Sequence, residues 1–199
     1  MIIAVTNRLL CKNNFLNQLE QICQAEPYGI ILREKDLTDN EYEMLALNCK
    51  KICDSYNVSL FINSKINIAE KLNIKNIQLS FTDFIQQHNK LKDFNMIAVS
   101  VHSKAEAIKA CCLGASFLIA GHIFETDCKK GFVPKGLIFL KEAVNSVNIP
   151  VFAIGGINLS NASEVQQAGA KGICLMSQLM TCSNPKDIVL EFKNIFESN

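Results

Sequence analysis

The chain has 199 residues, with 20 Lys and Arg against 19 Asp and Glu and an apolar fraction of 49%. That length suits one domain with a sizeable core, residues 1–199, and the near-neutral charge gives no pull toward nucleic acid or an anionic membrane. No apolar run is long enough to span a bilayer, and the N-terminus lacks the charged-then-apolar layout of a signal peptide, so a cytoplasmic protein is expected.

Ile2-Ile3-Ala4-Val5 is a short apolar run and predicts a buried strand. Phe15, Leu16, Leu19, Ile22 and Cys23 mark one face of a helix. Gly29-Ile30-Ile31-Leu32 is a second strand, ended by Arg33-Glu34-Lys35. Thr38 with Glu41 has the form of a capping box. The helix it opens carries Tyr42, Leu45, Ala46, Cys49, Ile52 and Cys53 on one side. Ser59-Leu60-Phe61-Ile62 predicts a third strand, residues 66–72 a short helix, and Asn76-Ile77-Gln78-Leu79 a fourth strand.

The alternation continues with a helix around residues 84–88 and the strand Met96-Ile97-Ala98-Val99. Ser103 and Glu106 form a second capping-box pattern. Phe117-Leu118-Ile119-Ala120 is the sixth strand, and residues 135–147 a helix. Pro150-Val151-Phe152-Ala153-Ile154 is the seventh strand, closed by Gly155-Gly156, and Asn161 with Glu164 is expected to cap the next helix. Gly172-Ile173-Cys174-Leu175-Met176 is the eighth strand, and Pro185 starts the last helix at the position where its missing N–H costs nothing.

Eight short, continuously apolar strands, each followed by a helix, predict an α/β protein with a single (β/α)8 TIM barrel. A doubly wound open sheet competes, but it would usually place a glycine-rich turn after the first strand. Here that position reads Thr6-Asn7-Arg8. The nine cysteines are odd in number and contain no Cys-x-x-Cys pair, which argues for buried reduced thiols rather than disulfides or zinc.

Active residues of such a barrel collect at the C-terminal ends of the strands. Arg33 and Lys35 stand two apart on an extended segment and can share an anion. Gly155 and Gly156, with Ser177 after the eighth strand, suit a phosphate. His102 and His122 are candidate proton carriers. His122 opens the most polar loop of the chain, 121–131, which also holds Thr126, Cys128 and Lys129. Cys128 beside two lysines is the least expected of these to do chemistry.

Arg33-Glu34-Lys35, Ile62-Asn63, Ser100-x-His102-Ser103, Thr126-x-Cys128-Lys129, Ala153-Ile154-Gly155-Gly156-Ile157 and Met176-Ser177 fall in the order and spacing of the thiamine phosphate synthase/TenI family. The chain resembles that family over residues 4–185. The resemblance implies a barrel and a site. His122 is implied as catalytic. Arg33, Lys35, Asn63, Ser100, His102, Thr126 and Lys129 are implied as substrate-binding, and Gly155, Gly156, Met176 and Ser177 as phosphate-binding.

Synthases of the family join a pyrimidine diphosphate to a thiazole phosphate with magnesium. Their pattern has Gln at the place of Ile31, Asp at Ser64, His at Gln78 and Gln at Phe81, leaving Asp83 alone of the expected metal pair. The loop 121–131 and the stretch Ser100-Val101-His102-Ser103 look like those of the TenI-type thiazole tautomerase, which aromatises the carboxythiazole phosphate of thiamine biosynthesis. The expectation is therefore an isomerase without cofactor or metal. Thiamine phosphate synthase, with magnesium, is the alternative, and a non-catalytic regulator or ligand-binding barrel the second alternative. The expected partner is a small thiazole phosphate, with no nucleic acid and no membrane, and a homo-oligomer is left open.

Overall fold

Each apolar run forms a strand because both of its faces are covered, one by the barrel interior and one by helices. The computed structural model describes residues 1–197. The strands are β1 Ile2–Val5, β2 Gly29–Leu32, β3 Ser59–Asn63, β4 Asn76–Ser80, β5 Met96–Val101, β6 Phe117–Gly121, β7 Val151–Ile154 and β8 Gly172–Leu175. All neighbours pair in parallel, and β8 closes on β1, so the sheet is a barrel in sequence order. The open-sheet alternative is excluded.

The helices are α1 Phe15–Gln24, α2 Asp39–Ser55, α3 Ile66–Lys71, α4 Phe81–Gln87, α5 Lys104–Cys112, α6 Gly136–Asn145, α7 Ala162–Gln167, α8 Ser177–Thr181 and α9 Pro185–Glu197. None of the described helices is long and apolar enough to cross a membrane. The Thr38–Glu41 capping box is present in both directions. At α5 the pattern is split. Ser103 accepts from the Glu106 N–H, while the Glu106 carboxylate accepts from His102 N–H instead of Ser103. The Asn161 cap expected at α7 does not form. The Asn161 side chain reaches backward, accepting from Asn158 N–H and donating to the Gly156 carbonyl, so it braces the β7 loop instead.

Alternate residues of each strand divide two apolar layers. Ile2, Ala4, Ile30 and Leu32 face the helices, where the larger core lies. Ile3, Val5, Ile31, Phe61, Phe117 and Phe152 fill the barrel interior. Phe117 packs edge-on against Phe61 and tilted against Phe152 at centroid distances of 5.5 and 5.1 Å, and Tyr28 joins Phe152 at 5.7 Å. Phe117 opens its strand and Tyr28 precedes its own, so these rings plug the N-terminal end. The opposite end stays open for polar side chains.

All nine cysteines are free thiols. Burial pushes the Cys49 and Cys174 thiols well up from their ordinary value, and Cys53 rises through its contact with Cys23 together with burial. Folding thus favours the protonated thiols. Their contribution to stability is full below the unfolded thiol value of about 8.5 and falls as pH rises above it, because only the unfolded chain releases those protons. Urea midpoints are expected to drop between about pH 7 and about pH 10, less steeply in a Cys49→Ala variant. Ellman's reagent is expected to label exposed Cys112 and Cys128 in the native protein and Cys49, Cys53 and Cys174 only after unfolding.

Candidate active site

At the end of β2 the alternation of an extended segment splits three charged residues. Arg33 and Lys35 line a cavity at the C-terminal end of the barrel. Glu34 turns the other way and is 3% exposed. Its carboxylate accepts from the Thr6 hydroxyl at 2.6 Å and from the Arg8 backbone N–H at 3.0 Å on both oxygens. Thr6 in turn accepts from the Arg33 N–H at 2.9 Å. A buried carboxylate needs such partners. Together they tie the end of β1 to the end of β2 and set the backbone from which Arg33 and Lys35 project. The Arg8 guanidinium bonds Asp36 at 2.7 Å and holds its carboxyl below the usual carboxylate range. Tyr42 of α2 reaches up to the same level. Its hydroxyl donates to the Leu32 carbonyl and accepts from Asn63 N–H, and burial raises its pKa.

The next arc, β3 to β5, carries a chain of neutral hydrogen bonds. Asn63 Nδ2 donates to Gln78 Oε1 at 2.6 Å, and Gln78 Nε2 donates to Ser100 Oγ and to the Leu79 carbonyl, both at 2.9 Å. Asn63, Gln78 and Ser100 all line the cavity, as do Ser64, Ser80 and Asp83. Asp83 is engaged with Ser80, whose hydroxyl donates to its carboxylate at 2.8 Å and caps α4. Phe81 does not line the cavity; it packs against the helix-side core. Ile31 is part of the barrel interior beneath.

The loops after β6 and β7 lie against each other. Ile123 N–H donates to the Ile154 carbonyl at 2.9 Å and Phe124 N–H to the Gly155 carbonyl at 3.0 Å. Gly155 has φ +99° and Gly156 φ +67°, conformations that favour glycine. A Cβ on Gly155 would stand 2.3 Å from His122 Cβ, and one on Gly156 2.3 Å from the Glu125 carbonyl oxygen. Both glycines are therefore required by loop packing, whatever ligand they also meet. His122 is 6% exposed, and its Nε2 lies 3.3 Å from the Phe132 carbonyl oxygen. A carbonyl only accepts, so this contact puts the proton on Nε2. His102 Nδ1 likewise donates to the Gly121 carbonyl. The far part of the loop is open: Lys129 is exposed, Lys130 pairs with Asp127 at 3.3 Å, and Phe132 and Val133 are 73% and 85% exposed.

The cavity measures about 1240 Å³ and brings together every site residue expected from the sequence. Arg33, Lys35, Asn63, Ser100 and His102 stand on one arc, and His122, Thr126 and Lys129 on the next. Gly155, Gly156, Met176 and Ser177 complete the ring. Sequence reasoning missed the linking role of Gln78, the central residue of β4, and the buried orientation of Glu34, which its neighbours' alternation implied.

A closed parallel barrel with a polar, glycine-bearing cavity over its strand ends, lined by both cations and carboxylates, defines a (β/α)8 barrel with a small-molecule site. The family model TMP-TENI, described as thiamine monophosphate synthase, matches residues 2–179. The chain belongs to that family. It is 33% identical over 198 residues to the thiamine-phosphate synthase of Clostridium acetobutylicum, covering 98% of this chain and 94% of that protein. It is 32% identical over 200 residues to that of Fusobacterium nucleatum, covering 99% and 96%. The solved thiamine phosphate pyrophosphorylase from Pyrococcus furiosus superposes with a TM-score of 0.85 at 27% identity, over 99% of this chain and 95% of that one.

These relatives overturn the tautomerase expectation. They carry the synthase name, and the likeness runs through nearly the whole chain, whereas the tautomerase reading rested on one loop, the stretch 100–103 and a few substitutions. One of those substitutions, Phe81, lies outside the cavity. Magnesium, which the family's synthases use, is a different matter. Ser64 stands where the pattern has a carboxylate, Asp83 already accepts from Ser80, and among the described residues no group of three or more His, Cys, Asp or Glu could hold a metal ion. Magnesium is commonly held by one or two carboxylates together with substrate phosphate oxygens and waters rather than by a cage of protein ligands. Of the expected carboxylate pair, Asp83 alone lines the cavity.

Gly155→Ala is expected to lower stability by about 2–5 kcal/mol, combining ~1–2 kcal/mol for a left-handed side-chain-bearing residue with ~1–3 kcal/mol for overpacking against His122. Urea unfolding of this variant against the wild type measures it.

Proposed function

We propose that the protein is a thiamine phosphate synthase, joining a pyrimidine diphosphate to a thiazole phosphate. The observation that carries this reading is the near full-length similarity to proteins of that name, 33% and 32% identical. The cavity supports it. Its cations stand at two places, Arg33 and Lys35 after β2 and Lys129 in the β6 loop, with the Gly155–Gly156 turn packed against that loop and Ser177 after β8. Two phosphorylated substrates need two anion-binding regions.

The reaction breaks the bond between the pyrimidine's methylene carbon and the diphosphate oxygen, which leaves with the electron pair as pyrophosphate. The lone pair of the thiazole nitrogen forms the new C–N bond. No proton has to be removed from either substrate. This matches a site whose most buried imidazole, His122, faces a backbone carbonyl. With the isomerisation withdrawn, His122 loses the reaction its acid-base role served. We assign it to holding the loop that carries Thr126 and Lys129. Arg33 and Lys35 take the diphosphate and stabilise charge that grows on the departing oxygen. Gly155, Gly156, Met176 and Ser177 take the thiazole phosphate. Asn63, Ser100 and His102 line the space between.

Purified protein given both substrates and magnesium is expected to form thiamine phosphate, read as fluorescent thiochrome, with one pyrophosphate released per product. Absence of product at high enzyme concentration would overturn the reading and leave a barrel that binds without turnover. Arg33→Ala is expected to lower kcat/KM by about 10- to 100-fold, the range of a lost hydrogen bond to a charged group.

A further inference from the structure

The Asn63–Gln78–Ser100 chain has a direction that one backbone atom decides. The Leu79 carbonyl can only accept, so the Gln78 amide must turn Nε2 toward it. The same Nε2 then supplies its second hydrogen to Ser100 Oγ. Gln78 Oε1 is left facing Asn63, which must answer with Nδ2. Both amide hydrogens of Gln78 are consumed, and the residue is 6% exposed, so neither end can be exchanged for water without leaving a buried polar atom unpaired.

The consequence falls on Ser100. A hydroxyl has one hydrogen to give and two lone pairs. Gln78 occupies a lone pair, so the hydrogen remains, and no protein acceptor takes it among the described residues. Ser100 lines the cavity at the end of β5, in register with Ser80. Asn63, which also lines the cavity, is held at the same time through one N–H.

We propose that Gln78 is a positioning residue that keeps Ser100 a hydrogen-bond donor toward the cavity, and that the group it serves is an anionic phosphate oxygen. An anion is the fitting acceptor because a hydroxyl hydrogen bond is strongest to a charged oxygen, and Arg33, Lys35, Lys129 and Lys130 line the same cavity against Asp83, Glu125 and Asp127. Without Gln78 the Ser100 hydroxyl is free to rotate and donate elsewhere, and the pre-aimed donor is lost. The identity of the anion as the diphosphate of the pyrimidine substrate rests on the synthase reading; the polarity of Ser100 does not.

The test is a double-mutant cycle on binding of inorganic pyrophosphate by calorimetry, using Gln78→Leu, Ser100→Ala and the pair, each checked by thermal unfolding. Each single change is expected to weaken binding by about tenfold, the range of a lost hydrogen bond to a charged group, and the pair no more than either alone. Gln78→His, whose ring N–H can donate to Ser100, is expected to recover most of the lost affinity, which a purely structural role would not predict. That variant carries the test if Gln78→Leu fails to fold: wild-type-like affinity in Gln78→His that Ser100→Ala abolishes supports the relay. Additive losses in the pair, an unaltered affinity in Gln78→Leu, or no pyrophosphate binding by the wild type each overturn it. Coupling here without thiamine phosphate formation would retain the relay and overturn only the synthase reading.

Discussion

The site depends on two loop backbones lying closer than side chains permit. The β6 loop rests on the β7 turn through the Ile123 and Phe124 N–H bonds, and Gly155 and Gly156 leave no room for a Cβ between them. That contact fixes His122, and through His122 and its bond to Phe132 it anchors the stretch that carries Thr126 and Lys129. A second brace, the buried Glu34 with Thr6 and the Arg8 backbone, sets the opposite side. Between these two rigid margins runs the neutral chain of Asn63, Gln78 and Ser100. The cavity therefore has cations on well-held backbone, not a charged surface loop alone.

The fold was legible because parallel strands covered on both faces read as uninterrupted apolar runs, and this chain has eight of them. The ring of site residues followed once the strand ends were placed. Local patterns fared less evenly. Thr38–Glu41 formed its capping box, whereas Asn161 turned to the β7 loop because a nearer N–H and carbonyl were waiting at Asn158 and Gly156. The reason for Gly155–Gly156 was only half legible: a ligand and a neighbouring loop ask the same thing of a backbone, and the neighbour lies about 30 residues away in sequence.

The choice between two reactions was where residue patterns misled. Both chemistries use a phosphorylated thiazole in the same barrel, so they share most of the ring. Substitutions at Ser64 and Phe81 looked equally telling in the sequence. The structure separates them, since Ser64 lines the cavity and Phe81 packs into the helix-side core. Gln78 stands where the family pattern has His, and it is fully used in bridging its neighbours.

The aromatic plug of Phe61, Phe117, Phe152 and Tyr28 sits at the end of the barrel away from the cavity. Much of the interior's cohesive energy is thereby spatially separate from the reactive rim. Rim positions outside the two braces can drift in sequence without melting the scaffold, whereas the plug cannot. A lineage built this way is free to explore altered ligand preference by single steps at rim positions such as 64, each intermediate still folded and still visible to selection.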